Sequence, residues 1–517
     1  MSDATLLAAC QSALRRPFPL QEGGDVRIHT AFSHPRPVRS LYPLAHIHPS
    51  DGQASSASDA PTVWQEHVMV TASWKAGDDE RLMYALEAYV YTVPAAGAGL
   101  LYISKLDSTG YGPTVLPGRT HFPDAYRHAP SITTALTAAT IAYFASRAHW
   151  RMSPHIRHVS VHVLARAQAA YLFPSSPDNK AKRVLSDAAL IRWWQACLSE
   201  SIAQIREAHP ADEVSAYYVI PGYARLDSHP LVPLLAPGAE HAPGSRGSKL
   251  SEAQWVYGHP YSALGSGKAP DALPSLPLHP GPGEERTVHG NSALHCRTLS
   301  TMIPVFPDDP KGRFINEMCA TAHEPGKLPA PGEDGARLSL EHREAMAERQ
   351  TLDRTSADAF WERMGFRQEC SSGNAVGVFV VGVSQSKEAA RAPAGTPPPS
   401  DRTTPPAQPF ALPHPMLEDL VLKHLLRDAC HWSDADQAVR LTGQFYQALD
   451  RAMRRKTSAD TAADELAGRG EIWDVCSLPP APPSVAAAGK RSADAHEPPS
   501  APAAPVRVLS VKRKRRS

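Results

Sequence analysis

The densest grouping of chemistry-bearing side chains lies in residues 303–315, IPVFPDDPKGRFI. Two carboxylates, Asp308 and Asp309, stand next to two cations, Lys311 and Arg313, in an apolar frame of Ile303, Val305, Phe306, Phe314 and Ile315. Pro307 and Pro310 fix φ on either side of the acids, which predicts a stiff turn. Like charges held that close push one carboxyl pKa upward, and a carboxylate so tuned serves as a general base near neutral pH. A lysine two residues on would sit beside that base. The same residues also make an ordinary acidic surface turn, and this stretch alone leaves both readings open.

Other candidates are more dispersed. Asp107 ends a run of alternating residues and opens a loop that feeds a helix starting near Ser131, with Arg127 and His128 just before it. Free N–H groups and the helix dipole make such a start either a phosphate site or simply a capped helix. Trp193 and Trp194 divide between core and a groove wall, and Trp255, within WVYGHPY, suits either a pocket wall or a core position. His155, His158 and His162 precede and enter a strand with no acidic ligand nearby and no HExxH, so no metal site is expected. Gly265-Ser266-Gly267-Lys268 lacks the first glycine and the hydroxyl residue of a phosphate loop.

The elements that must position these residues follow from periodicity. Residues 5–14 read as a short amphipathic helix. Alternation predicts strands at 68–72, 86–92, 100–106, 158–164 and 217–220, and the apolar run 376–383 predicts another. Ser131 and Ser186 cap helices, and further helices carry Phe360 and Trp361, Leu417 to Leu425, and Val439 to Phe445. Strands separated by helices without an internal repeat indicate a single mixed α/β domain, one sheet flanked by helices. Its expected span is 63–455, after a leader and loop at 1–62 and before a largely disordered tail at 456–517. The 50 prolines among 517 residues, about twice the usual share, concentrate in stretches. Disordered insertions are expected near 231–250, 268–285, 323–336 and 384–413.

A net charge of +1 gives no whole-molecule attraction for nucleic acid. Seven scattered cysteines form neither a disulfide framework nor a zinc site, which points to a reducing compartment. The polar N-terminus does not read as a secretory signal, and residues 375–383 are too short to span a bilayer. A soluble intracellular protein is expected, with no membrane contact. The basic run Lys512-Arg513-Lys514-Arg515-Arg516 reads as a solvated end, a nuclear-import signal or a contact for acidic partners.

Four stretches in this order carry a resemblance: YISKLDSTGY (102–111), AAYLFPSSPDNKAKRVLSDAALIRWW (169–194), IPVFPDDPKGRFI (303–315) and FWERMGFRQECSSG (360–373). They resemble the fungal histone H3 acetyltransferases named for regulation of Ty transposition, distantly similar in structure to CBP-type acetyltransferases. The resemblance covers roughly residues 68–383. It implies an acetyltransferase domain that takes acetyl-CoA, with Leu106, Asp107, Ser108, Arg127, His128, Ser131, Trp193 and Arg313 toward the cofactor. It implies that Trp255 walls a lysine tunnel, that Asp308 and Asp309 lie by the substrate lysine with Asp309 as base, and that Lys311 is acetylated by the protein itself. It further implies histone H3, bound to H4, as substrate, presented by chaperones of the nucleosome-assembly and anti-silencing kinds. The setting would be the nucleus, in chromatin assembly and the DNA-damage response. The competing expectation is a non-catalytic histone- or chaperone-binding protein that keeps the fold. Direct sequence-specific nucleic-acid binding is not expected.

Overall fold

Valine, isoleucine and aromatic residues at every second position build the sheet, because alternate side chains in a strand point to opposite faces. In the computed structural model the described residues are 5–38, 41–42, 44, 63–94, 97–117, 122–146, 150, 156–233, 249, 252–259, 299–320, 340–366, 374–384, 411–427, 429–457 and 472–485. The expected insertions at 268–285 and 323–336, most of those at 231–250 and 384–413, and the basic run at 512–516 lie outside them.

The strands are β1 (Gly24–Ser33), β2 (Arg36–Val38), β3 (Val63–Ala76), β4 (Asp79–Val93), β5 (Ala98–Ser108) and β6 (His158–Ala165). They continue as β7 (Glu213–Val219), β8 (Val256–Tyr257), β9 (Gly377–Ser384), β10 (Ala411–Leu412) and β11 (Trp473–Leu478). Together they form one mixed sheet in the order β10-β1-β3-β4-β5-β6-β9-β7-β8, with β11 also on β1 and β2 on β3. The β5–β6 pair is parallel, which requires a crossover, and the helix Ile132–Ala145 lies on that connection.

Both faces of the sheet are covered. On one, Val68, Val70, Leu86, Ala88, Leu101, Ile103, Val159 and Val161 share a core with the helices Leu6–Leu14, Ile132–Ala145 and Asp187–Ala208. On the other, Met69, Leu82 and Ala85 lie under the C-terminal helices His414–Val421 and Ala435–Thr457. Leu164, Val219 and Val378 lie there under Pro310–Ala320 and Ala357–Met364. Glu87 and His162, polar members of the alternating strands, therefore sit within a second core, and both are buried.

Residues before 63 and after 456 also belong to the fold. The sheet begins well before residue 63, because β1 pairs with β3 over Asp25–Phe32, and the helix Leu6–Leu14 buries Leu6, Leu7, Cys10 and Leu14. Past residue 456, β11 returns to pair antiparallel with β1, from Gly24↔Leu478 to His29↔Trp473. Val232, at the start of an expected insertion, is fully buried in the main core. Among the described residues no helix is long and apolar enough to cross a membrane.

Candidate active site

The acidic stretch is positioned by an aromatic plug. Val305 N donates to Leu41 O at 2.9 Å, and Phe306 stacks on Tyr102 with centroids 4.3 Å apart and planes 5° apart. Tyr91 and His162 flank the same ring at 5.6 and 5.2 Å. The chain then turns through Asp308, whose φ of +55° lies in the left-handed region that Asp tolerates better than most residues.

The two acids part company at this turn. The Asp308 side chain is 82% exposed, whereas that of Asp309 is 0% exposed. Asp309 is followed by Pro310, the first residue of the helix Pro310–Ala320, where a missing N–H does no harm. Its Oδ1 accepts from Lys311 N at 2.9 Å, which is helix capping by an Asp side chain. Its Oδ2 accepts from the Lys311 ammonium. Lys311 is buried in the first turn of a helix, where both desolvation and the dipole oppose a cation. Asp309 answers that, helped by the Phe306 ring 5.3 Å from the ammonium. The close-packed carboxylate pair expected from sequence is instead one exposed acid and one buried, ion-paired cap.

Lys311 reaches a pocket lined by Tyr102, His162, His259, Pro304, Trp361 and the β9 residues Val378, Phe379 and Val380. Burial holds the His259 imidazole down to about 3, with the Lys311 charge adding to it. Burial, then Lys311 and His259, pushes His162 well below the usual histidine range, and its Nε2 contacts Ser160 Oγ at 2.9 Å. The pocket thus holds two neutral imidazoles around one ammonium. Among the described residues the buried Trp361 Nε1 has no hydrogen-bond partner. Beside it, Lys105 links Asp308 Oδ2 at 3.9 Å to the buried Glu87 Oε2 at 2.6 Å. Burial raises the Glu87 carboxyl, but His67 and Lys105 overcome that and hold it down to about 2.

β5 joins this pocket to the second predicted region, since it carries Tyr102, Lys105 and Asp107 within about 17 Å of strand. Asp107 is buried and fully engaged. Its Oδ2 accepts from the amides of Tyr171, Leu172 and Phe173 at 2.7, 3.0 and 3.2 Å. Its Oδ1 accepts from Ser108 N and from the Lys182 ammonium, both at 2.8 Å. Leu106 packs partly buried against the main core.

None of the remaining candidates lines the Lys311 pocket. Ser131 Oγ accepts from Thr134 N at 3.1 Å and caps the Ile132–Ala145 helix. Arg127 donates to Phe122 O at 3.1 Å and pairs with Asp124 at 3.3 Å, while His128 ends the same helical turn. Trp193 is half-buried and meets Trp194 edge-on at 4.9 Å. Trp255 is buried, donates to Ser199 Oγ at 2.9 Å and meets Phe379 edge-on at 5.4 Å. Phe379 and Trp255 share the main core, on the sheet face opposite Val378 and the Pro310–Ala320 helix, so the sheet separates Trp255 from Lys311. Arg313 is exposed on the Pro310–Ala320 helix. His162, His259 and Trp361 reach the Lys311 pocket from separate parts of the chain, so spacing along the sequence does not group them. Among the described residues no three His, Cys, Asp or Glu side chains group to hold a metal.

The chain resembles known proteins in its sequence and in its fold. Residues 124–465 match the family described as Histone acetyltransferase KAT11-type domain. Histone acetyltransferase rtt109 of Aspergillus flavus is 27% identical over 377 residues, 69% of this chain and 53% of the relative. Its namesake from Schizosaccharomyces pombe is 23% identical over 285 residues, 54% of this chain and 52% of the relative. The chain thus spans about half the length of these relatives. The crystal structure of Rtt109 from Aspergillus fumigatus shares the fold, with a TM-score of 0.55 at 20% identity over 91% of this chain and 99% of that one. With two thirds of its length matched to one family, the chain belongs to the KAT11-type histone acetyltransferases.

Proposed function

We propose that this protein is a lysine acetyltransferase that uses acetyl-CoA to modify histone H3, including a lysine of its globular core. The observation that carries the reading is the buried Asp309–Lys311 pair, held at a helix start beside a half-closed pocket in a KAT11-type domain. Acetyl-CoA, the donor used by KAT11-type enzymes, supplies an activated thioester. The chain's residues handle the proton and the orientation. A substrate ammonium must lose a proton before its amine attacks the thioester carbonyl, forming C–N as C–S breaks. Asp309 takes that proton, directly or through water, and the exposed Asp308 attracts the incoming cation. Asp309 is engaged with Lys311, so Lys311 must first lose its charge. Acetylation of Lys311 by the protein itself does that and frees Oδ2.

Leu106, Asp107, Ser108, Arg127, His128, Ser131, Trp193 and Arg313 are the proposed cofactor-side residues, with Trp255 as a wall of the lysine tunnel. Asp107 and Ser131 act there through the backbone they organise, as their side-chain bonds indicate. Histone chaperones of the nucleosome-assembly and anti-silencing kinds would present H3 with H4, in the nucleus, during chromatin assembly and the DNA-damage response. The basic run at 512–516 suits nuclear entry and chaperone contact.

The second reading is a histone- or chaperone-binding protein without catalysis, favoured by the full engagement of Asp107 and Asp309 in structural bonds. Thermal protection by acetyl-CoA separates the two. A ligand at 100 times its Kd adds about 2.7 kcal/mol to native stability. Protection together with label transfer to H3 supports the enzyme. Histone binding with neither supports the second reading.

A further inference from the structure

In the run Lys180-Ala181-Lys182-Arg183, Lys180 and Arg183 are exposed, but the Lys182 side chain is only 4% exposed. Its ammonium donates to Asp107 Oδ1 at 2.8 Å and to Ser176 Oγ at 2.7 Å, and Ser176 in turn donates to Phe173 O at 2.6 Å. Asp107 grips the amides of residues 171–173 with its other oxygen. The two side chains therefore staple the loop after β5 to the segment 171–182 from both ends.

Backbone contacts continue the seam. Asn179 Nδ2 donates to Thr109 O at 2.8 Å. Gly110 has a φ of +92°, and a Cβ there would lie 2.5 Å from the Lys182 amide nitrogen, so the two segments touch main chain to main chain. Pro174 O accepts from Trp432 N at 3.3 Å, which pins the segment to the C-terminal layer. A buried ammonium with two fixed partners costs desolvation that an apolar side chain would avoid. Its return is geometric: it fixes Leu106 to Ser108 relative to the stretch that leads into the Asp187–Ala208 helix.

We infer that Lys182 is a positioning residue for the acetyl donor, locking the loop after β5 against the 171–182 segment without touching the donor itself. This rests on the acetyltransferase reading. The neighbouring Lys180, being exposed, is the contrasting case, a charge that acts through solvent.

The test is steady-state kinetics of full-length Lys182→Met, Lys182→Arg, Ser176→Ala and Lys180→Met at low and high salt, with acetyl-CoA and H3–H4 varied in turn. Lys182→Met raises KM for acetyl-CoA by about tenfold, with kcat and the histone KM within about twofold of wild type. The factor is the same at both salt concentrations because the pair is buried, whereas any Lys180→Met effect shrinks as salt rises. Lys182→Arg recovers part of the loss. If Lys182→Met does not fold, Ser176→Ala carries the test, with a smaller KM rise in the same direction. An unchanged KM for acetyl-CoA, or a loss seen only as fewer active molecules, overturns the inference. Absence of acetyl-CoA binding by the wild type, measured by calorimetry, overturns instead the reading on which it rests.

Discussion

Lys311 and Asp309 close on each other twice: the Lys311 amide donates to Asp309 Oδ1 at 2.9 Å and the Lys311 ammonium donates to Oδ2. One carboxylate is thus at once the helix cap and the counter-ion of a buried cation. The two halves are not symmetric in energy. Asp309→Ala strands a buried ammonium and removes a cap, which costs roughly 3–5 kcal/mol for the charge and about 1 kcal/mol for the cap. Lys311→Met leaves the cap bond intact and costs less. Urea denaturation of both variants and of the double variant checks this, and the double should be more stable than the sum of the singles predicts.

Trp255 is a core residue in its contacts, with one hydrogen bond to Ser199 and one edge-on ring contact to Phe379. Trp255→Phe keeps most of the packing and loses about 1 kcal/mol of hydrogen bonding. Trp255→Ala opens a cavity in the main core beside Phe379 and costs about 3–5 kcal/mol. Measured melting curves beside transfer rates decide its role: a fully stable Trp255→Phe that has lost activity would place the indole at the substrate rather than only in the core.

Acid should unfold the protein through its buried histidines. Burial holds His259 down to about 3, aided by Lys311, and His29 down to about 3, aided by Arg27. Both are neutral in the fold and take up a proton near 6.5 when unfolded. Between those values the unfolded chain binds more protons, so their contribution is fully present above 6.5 and is lost as pH falls toward 3. The slope is about 1.4 kcal/mol per pH unit for each histidine. Glu87, at about 2 against 4.5 unfolded, adds a loss in the same direction between those lower values. Denaturation midpoints at pH 7, 6 and 5 test the histidine part. Lys311→Met should keep that slope but end the decline at a higher pH, read at an added point at pH 4, because one cause of the His259 shift is gone.

Gly312 sits where the helix start passes the preceding segment 303–306, and a Cβ there would come within 2.7 Å of Val305 Cγ1. Gly312→Ala is expected to destabilise by about 1–3 kcal/mol through overpacking. Val305→Ala in the same chain should restore part of it. A Gly312→Ala variant as stable as wild type would show that Val305 yields without resistance.

The sequence was most legible where a single element carries its own signal. Alternation marked β3, β4, β5 and β6, an apolar run marked β9, and Ser131 and Ser186 both cap the helices they precede. It was least legible where meaning depends on distant partners. β1 alternates Val26, Ile28 and Thr30, but its place in the sheet follows from pairing with β3 and β11. Glu87 and His162 look like the wet side of their strands and are buried because helices and the Phe306 plug cover that face. Within the candidate site, Asp309 followed by Pro310 is a local capping signature. The parting of Asp308 from Asp309 depends on the left-handed turn at Asp308, which spacing does not reveal. His259 joins Lys311 only through the folding of β8 beside β7.

The most direct test is mass spectrometry of the purified protein after incubation with acetyl-CoA and a histone H3–H4–chaperone complex, for wild type, Asp309→Asn and Lys311→Arg. Acetyl groups are expected on H3 and on Lys311 with wild type, and much less on H3 with either variant. Acetylation of H3 by Asp309→Asn at the wild-type rate would remove Asp309 as the base. A wild-type protein that binds H3–H4 yet acetylates neither H3 nor Lys311 would contradict the account as a whole.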